Sequence, residues 1–312
     1  MAVAELAAWL PLVMLRALLG GIPPSLSLSL GAAMGRLYVA LGGPRTGDAL
    51  SNLALAFPES SQAERRRLLR KSFANLGRGL AEVCLMQGRY RDAVLGGVAI
   101  EGLEHLEAAR VRGVTGGVLV ITAHFGSWEL CAAAVASQGI PVSVVHHGIG
   151  NERVAQMVRL WREQAGLETL ELGSSARGIL DALKRGRLVA LLMDQNAKPG
   201  EGVFAPFFGE LACTRSGPAR IAMRQGTPLL PIFFHRSQSG SGHVARFEAP
   251  LEMDAPGVDP DEALRSNVER MNAAIEAQVR AAPENWIWSH RRWKTRPEGD
   301  TRRFYPSRRR RG

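Results

Sequence analysis

The chain has 312 residues, 46% of them apolar, with a formal net charge of +10. That is enough apolar content for one sizeable core. The three cysteines, Cys84, Cys131 and Cys213, are odd in number and suit neither a disulfide framework nor a metal site, so they read as buried free thiols. The basic balance points to an anionic membrane or an acidic protein. No zinc-finger or RNP-type string is present, so nucleic acid is not expected.

Residues 1–44 form an apolar N-terminal region. The run 6–22 is broken by Arg16 and stands near the lower length limit for a membrane span; the run 26–41 carries Arg36 and several Gly and Ser. The first reads as an uncleaved anchor or a helix lying in the membrane plane, against the plainer reading of two ordinary buried helices. If it spans, Arg16, Arg36 and Arg45 on its C-terminal side put the rest of the chain at the cytoplasmic face. A helical section then stops at Pro58. Ser61 and Glu64 have capping-box spacing, which predicts a long helix to about Met86. Its apolar face includes Leu69, Phe73, Leu76 and Leu80, and its other face is basic through Arg65, Arg66, Arg67, Arg70 and Lys71. That basic face is either simply solvated or laid against lipid headgroups.

From residue 98 the pattern alternates. Strands are expected at 98–101, 117–122, 142–146, 168–172, 188–193 and 229–235. Helices are expected at 128–137, 151–164, 176–185, 216–225 and 261–281. A further strand at 243–248 alternates and is expected at a sheet edge. The expected fold is α/β: a largely parallel, twisted sheet with helices on both faces, preceded by N-terminal membrane-associated helices. In domain terms the chain divides into 1–44 as the anchor region, 45–297 as the α/β domain with its helical entry section, and 298–312 as a basic tail.

The chain is organised around Ala123-His124-Phe125-Gly126-Ser127-Trp128-Glu129. His124 follows a buried strand, and Glu129 lies in the first turn of the next helix. In open α/β sheets that edge is where sites form. A histidine beside a carboxylate is the usual general base: the imidazole titrates near neutrality, and the carboxylate fixes its tautomer. Convergence of the two needs a tight bend, which Gly126 permits. The bland alternative is a strand-end histidine and a glutamate that complements the helix dipole.

The H-x4-E arrangement after a buried strand resembles the glycerolipid acyltransferase superfamily, and His124–Glu129 resembles its bacterial lipid A biosynthesis branch, the lauroyl/myristoyl transferases. Asp194-Gln195, the stretch 204–209, Thr214 and the stretch 283–297 (Pro-Glu-Asn-Trp-Ile-Trp-Ser-His-Arg-Arg-Trp-Lys-Thr-Arg-Pro) carry the same likeness. The resemblance implies transfer of a fatty acyl chain from a thioester to a hydroxyl of a lipid A precursor or related glycolipid. His124 would be the base, oriented by Glu129. The donor would be acyl carrier protein, with acyl-CoA the alternative, at the inner membrane and without metal or organic cofactor. Backbone amides of Gly126, Ser127 and Trp128 are candidate oxyanion donors.

Other residues are candidates for substrate binding. Arg162 with Gly166 resembles a family position tied to substrate, and Arg159 lies on the same helix; guanidinium forks suit phosphate oxygens. Both could equally be solvent-facing. Asn151 is what remains of the family pattern after the third strand, where acceptor recognition is expected. His146 and His147 precede it without acidic or Cys partners at ligand spacing. Asp194 and Gln195 end a buried strand at the crevice, where Asp194 could hold a hydroxyl, pair with an arginine or close an Asx-turn. Arg215, with Thr214, would open a helix whose N-terminus can meet an anion. Phe204, Phe207 and Phe208 read as a loop, closing the core or lining an acyl channel. Trp286, Trp288 and Trp293 among basic residues fit either a membrane interface or a packed strap. His290 has cationic neighbours that disfavour its protonation, so it ranks below His124 as a base.

The rival readings are a different acceptor (ornithine lipid, glycolipid or lysophospholipid), a serine hydrolase, and a non-catalytic membrane-surface protein. Ser127 lies in no G-x-S-x-G elbow, which weighs against the hydrolase.

Overall fold

The computed structural model describes residues 2–146, 148–171, 175–236, 242–254 and 259–306. His147, Leu172 and the basic end of the tail, 307–312, lie outside them. Four helices come first: α1 (Ala2–Gly21), α2 (Pro24–Ala40), α3 (Thr46–Ala56) and α4 (Gln62–Met86). α4 begins at the expected cap. Ser61 Oγ accepts from the Glu64 amide, and the Glu64 carboxylate accepts from the Ser61 amide.

The second apolar stretch is a packed helix. α2 meets α4 backbone to backbone: a Cβ on Gly35 would lie 1.9 Å from the Phe73 carbonyl oxygen, and one on Gly77 2.0 Å from that of Gly31. The small residues that interrupt the apolar run are the face this contact requires. Ser27, fully buried, donates Oγ to the Leu19 carbonyl at 2.7 Å and ties α2 to α1. Among the described residues no helix is long and apolar enough to cross a membrane. The expectation of an N-terminal span is therefore not supported. Pro11 and Arg16 fall within α1, and the glycines and serines of α2 lower its apolarity.

The α/β core continues with α5 (Arg91–Gly96), β1 (Val98–Glu101), α6 (Leu103–Arg112), β2 (Val118–Thr122), α7 (Trp128–Ser137), β3 (Val142–His146), α8 (Glu152–Gln164), β4 (Glu168–Glu171), α9 (Ser175–Lys184) and β5 (Leu188–Leu192). It closes with β6 (Gly202–Phe207), β7 (Glu210–Arg215), α10 (Gly217–Gln225), β8 (Leu229–Arg236), β9 (His243–Phe247) and α11 (Pro260–Ala281). Seven strands form one sheet in the order β1-β9-β8-β2-β5-β3-β4; only the β8–β9 pair is antiparallel. β2 is central and buried along nearly its whole length. Leu119 and Ile121 enter a core shared with α9, α11 and the C-terminal tryptophans, while Val118 and Val120 enter a second core against α6 and α7. A strand apolar on both faces needs helices on both faces.

Three expectations are corrected here. β9 is not an edge strand: it lies between β1 and β8, and β1 and β4 are the edges. The alternation of β9 reports one better-covered face, not a free side. Residues 204–209 are not a loop but belong to the β6–β7 hairpin, whose two turn residues, Phe208 (φ +53°) and Gly209 (φ +77°), are left-handed as such a turn requires. Phe207 and Phe208 are buried, so these aromatics close the core. Thr214 and Arg215 end β7 instead of opening α10. The tryptophan stretch is a packed strap: Trp286, Trp288 and Trp293 are all at most 1% exposed.

Candidate active site

β2 and β5 are parallel neighbours in which Thr122 faces Leu192. Two residues beyond that pair on each strand stand His124 and Asp194, so the sheet register itself brings them together at its carboxyl edge. Asp194 Oδ1 accepts from His124 Nδ1 at 2.8 Å. Its other oxygen accepts from the His124 amide (3.0 Å) and from Trp286 Nε1 (2.8 Å). With Nδ1–H directed at Asp194, Nε2 is left as the basic nitrogen, and the Gln195 amide lies 3.3 Å from it. The Trp128 ring packs against the imidazole in a T-shaped arrangement, 5.0 Å between centroids.

The electrostatics follow from this contact. Burial opposes charge on His124, but the charge and hydrogen bond of Asp194, helped by the charge of Glu129, outweigh it and raise the pKa above its ordinary value. Burial would likewise raise Asp194, yet His124 and the donated hydrogen bonds hold it at about 2. Asp194 therefore stays ionised. His290 differs: burial first, then Arg292, push it down to about 4, although Asp194 pulls the other way. Its Nε2 accepts from the Asn196 amide at 3.0 Å, so it serves as a buried acceptor. Burial pushes Cys131 up to about 12, which leaves it an inert thiol.

Glu129 is not the carboxylate hydrogen-bonded to His124. It accepts a two-point bond from Arg162 of α8 (Nη2–Oε1 2.5 Å, Nε–Oε2 3.1 Å) and acts on His124 through its charge. The expected bend does exist. Gly126 has φ +60°, donates its N–H to the Asn285 carbonyl at 2.8 Å, and leaves only 2.3 Å between an added Cβ and the Phe234 carbonyl oxygen. The Ile287 amide donates to the His124 carbonyl, completing an antiparallel bridge between the histidine loop and the strap. Gly126 N–H is thus committed and drops out as an oxyanion donor. The amides of Ser127 and Trp128 stand where a helix start leaves donors without intrahelical partners. Ser127 Oγ is buried and has no hydrogen-bond partner among the described residues.

Replacing Gly126 by Ala should lower turnover by about 10²-fold, because a strained loop displaces His124 by a fraction of an ångström. Circular dichroism of the variant should remain that of the wild type.

Beside this loop is an apolar cavity of about 480 Å³ between α2, α4 and the start of α7. Met34, Tyr38, Leu76 and Leu80 line it, and Gly126 to Glu129 form part of its wall. The other candidates are not gathered here. Asn151 caps α8 through the Val154 amide (3.1 Å), Arg159 pairs with Glu163 at the helix surface, and Arg215 pairs with Glu201 (3.1 Å). Arg162 is at the site, but as the partner of Glu129. Asp194 is a sequence candidate at the crevice, but its pairing with His124 comes from the sheet register and has no local signal; the indole donor of Trp286 has none either.

The fold and site define an α/β protein with a carboxylate-held histidine at the rim of a parallel sheet, next to an apolar cavity. The chain belongs to the bacterial lipid A biosynthesis acyltransferase family, whose model matches residues 2–295. It is 28% identical to the lipid A biosynthesis lauroyltransferase of Escherichia coli K12 over 284 residues, covering 91% of this chain and 90% of that protein. It is 30% identical to the palmitoleoyltransferase of the same organism over 254 residues (81% and 80%). With its myristoyltransferase the identity is 26% over 281 residues (89% and 84%).

Proposed function

We propose that this chain moves a fatty acyl group from an acyl thioester to a hydroxyl of a lipid A precursor. His124 Nε2 takes the hydroxyl proton as that oxygen attacks the thioester carbonyl. Asp194 holds the tautomer and stabilises the imidazolium. The tetrahedral oxyanion is met by the amides of Ser127 and Trp128 and by the positive end of α7. Its collapse breaks the C–S bond, and the imidazolium returns its proton to the departing thiolate. The acyl chain lies in the cavity between α2 and α4. The donor is an acyl carrier protein, whose acidic surface suits a chain of net charge +10.

The protein sits on the cytoplasmic face of the inner membrane without crossing it. Leu10, Met14 and Leu18 recur at helical spacing on α1, and all are about half exposed or more, as are Leu26 and Leu37 on α2. Such a face lies in a lipid interface.

The observation that carries the reading is the His124–Asp194 bond at the base of the loop whose residues 126–129 wall an apolar cavity. Purified protein should acylate a lipid A precursor faster from carrier-bound than from CoA-bound donor. His124→Ala should reduce that rate by about 10²–10⁴-fold. Mass spectrometry of lipids from a deletion strain should show loss of a secondary acyl chain. Loss of an acyl group from ornithine lipid or a lysophospholipid instead would move the acceptor, and an unaffected His124→Ala variant would remove the mechanism.

A further inference from the structure

The outward face of α4 carries Arg67, Arg70, Lys71 and Arg78 at spacings that place them along one stripe. In the fold this mostly exposed stripe borders a hollow. Arg36 from α2 and Arg236 from the end of β8 converge on it around a concavity of about 440 Å³, bounded on the strap side by Glu284 and Asn285. Glu284 is the one carboxylate in its lining. Arg236 is already paired with Glu82 at 2.6 Å, and Arg78 donates to the neutral Asn75 Oδ1 at 2.7 Å. Among the described residues Arg36, Arg67, Arg70 and Lys71 have neither an ion pair nor a side-chain hydrogen bond. Arg78 titrates below its ordinary value, from burial first and then from Arg236 and Arg36. Six cations gathered from three elements around one hollow, against the single lining carboxylate Glu284 and the Glu82 that pairs Arg236, leave an excess of positive charge arranged for an anion.

The hollow also has a defined relation to the reaction. Asn285 on its rim is the residue whose carbonyl holds the Gly126 amide. On α4, Ala74 and Arg78 line the hollow, while Phe73 and Gly77, one residue before each, line the apolar cavity. The two spaces therefore flank the same α2–α4 seam and the same histidine loop. We propose that this hollow binds a phosphate group on the headgroup of the acceptor lipid, presenting the neighbouring hydroxyl to His124. This rests on the proposed acyl transfer. A bilayer contact fits less well, because no exposed apolar side chain lines the hollow; those lie on other positions of α1 and α2.

The test uses the full chain in neutral detergent micelles, which removes the bilayer. Arg67, Arg70 and Lys71 are exposed, so Arg67→Gln, Arg70→Gln and Lys71→Gln are combined in one variant that keeps helix-forming side chains. Wild type should bind inorganic pyrophosphate saturably, more weakly as salt rises, and the triple variant should not. The variant's KM for phosphorylated acceptor should rise about tenfold or more with donor KM unchanged. Wild type and variant should treat an enzymatically dephosphorylated acceptor alike. Arg66→Gln, on α4 outside the hollow, should leave all of these at wild-type values. Absent pyrophosphate binding overturns the proposal. So does an equal loss with both acceptors, or a rise confined to donor KM, which would assign the hollow to the carrier. If wild type transfers acyl groups but the two acceptors are not distinguished, the phosphate site fails while the acyltransferase reading stands. If wild type binds pyrophosphate but acylates neither acceptor, the acyltransferase reading fails and takes the acceptor assignment with it.

Discussion

Asp194→Asn should lower kcat/KM for acyl transfer by about 10²–10⁴-fold and shift its pH dependence toward acid. The amide would present an N–H to Nδ1, so the ring proton would move to Nε2, the atom that must be free to act. The shift in pH follows from charge. In the wild type the neutral, active imidazole forms only as pH rises through a pKa held above the ordinary value of about 6.5, mainly by Asp194. Without that carboxylate the ascending limb moves to lower pH even as its height falls. Glu129→Gln should also slow the reaction, since it unpairs Arg162, but should move the limb less, because Glu129 is a lesser contributor to the histidine's pKa. A pH–rate profile of the three proteins checks this. An unmoved limb in Asp194→Asn would falsify the assigned pair.

The same pair sets a stability dependence on pH. The raised histidine contributes fully below about pH 6.5 and loses its contribution as pH rises through the folded pKa. The depressed Asp194 contributes above its ordinary range near 3.9 and loses it as pH falls through about 2. Thermal melts of wild type and Asp194→Asn should therefore differ most in the window between the two.

The second large effect is on folding. Trp288→Ala should destabilise the protein by about 3–5 kcal/mol, read from urea denaturation in detergent. Trp288 is fully buried, its indole N–H donates to the Pro283 carbonyl at 2.7 Å, and its ring meets Phe57, Phe208 and Trp286. Asn52 of α3 donates to the Trp288 carbonyl at 2.6 Å, so the strap also fastens the helical entry section. Were this tryptophan a membrane anchor, the substitution would weaken vesicle binding and leave the denaturation midpoint in place.

Such a loss would reach the site as well. Trp286, in the same strap, donates to Asp194, and the neighbouring backbone pairs with the His124 loop. Arg292, fully buried, donates to the carbonyl of Cys213 and to Thr214 Oγ1, and lies 3.4 Å from the Gln195 carbonyl. Burial drops its pKa to about 10, still far above neutrality, so it remains a cation among neutral acceptors. A segment whose composition suits a lipid interface instead holds Asp194 and the His124 loop in place.

Much of this architecture was open to reading from local pattern. The Ser61–Glu64 cap, the β-branched run of β2, the strand ends at His124 and Asp194 and the helix carrying Glu129 all depend on residues within a few positions of one another, so capping and periodicity encode them directly. The pairing of His124 with Asp194 does not. It spans 70 residues and exists because β2 and β5 became neighbours in register, a result of how the intervening helices pack across the sheet. The burial of the tryptophan strap, the glycine seam between α2 and α4 and the hollow beneath the basic stripe have the same origin. Side-chain composition states what a surface can touch, but only the packed chain decides which surface is placed against it.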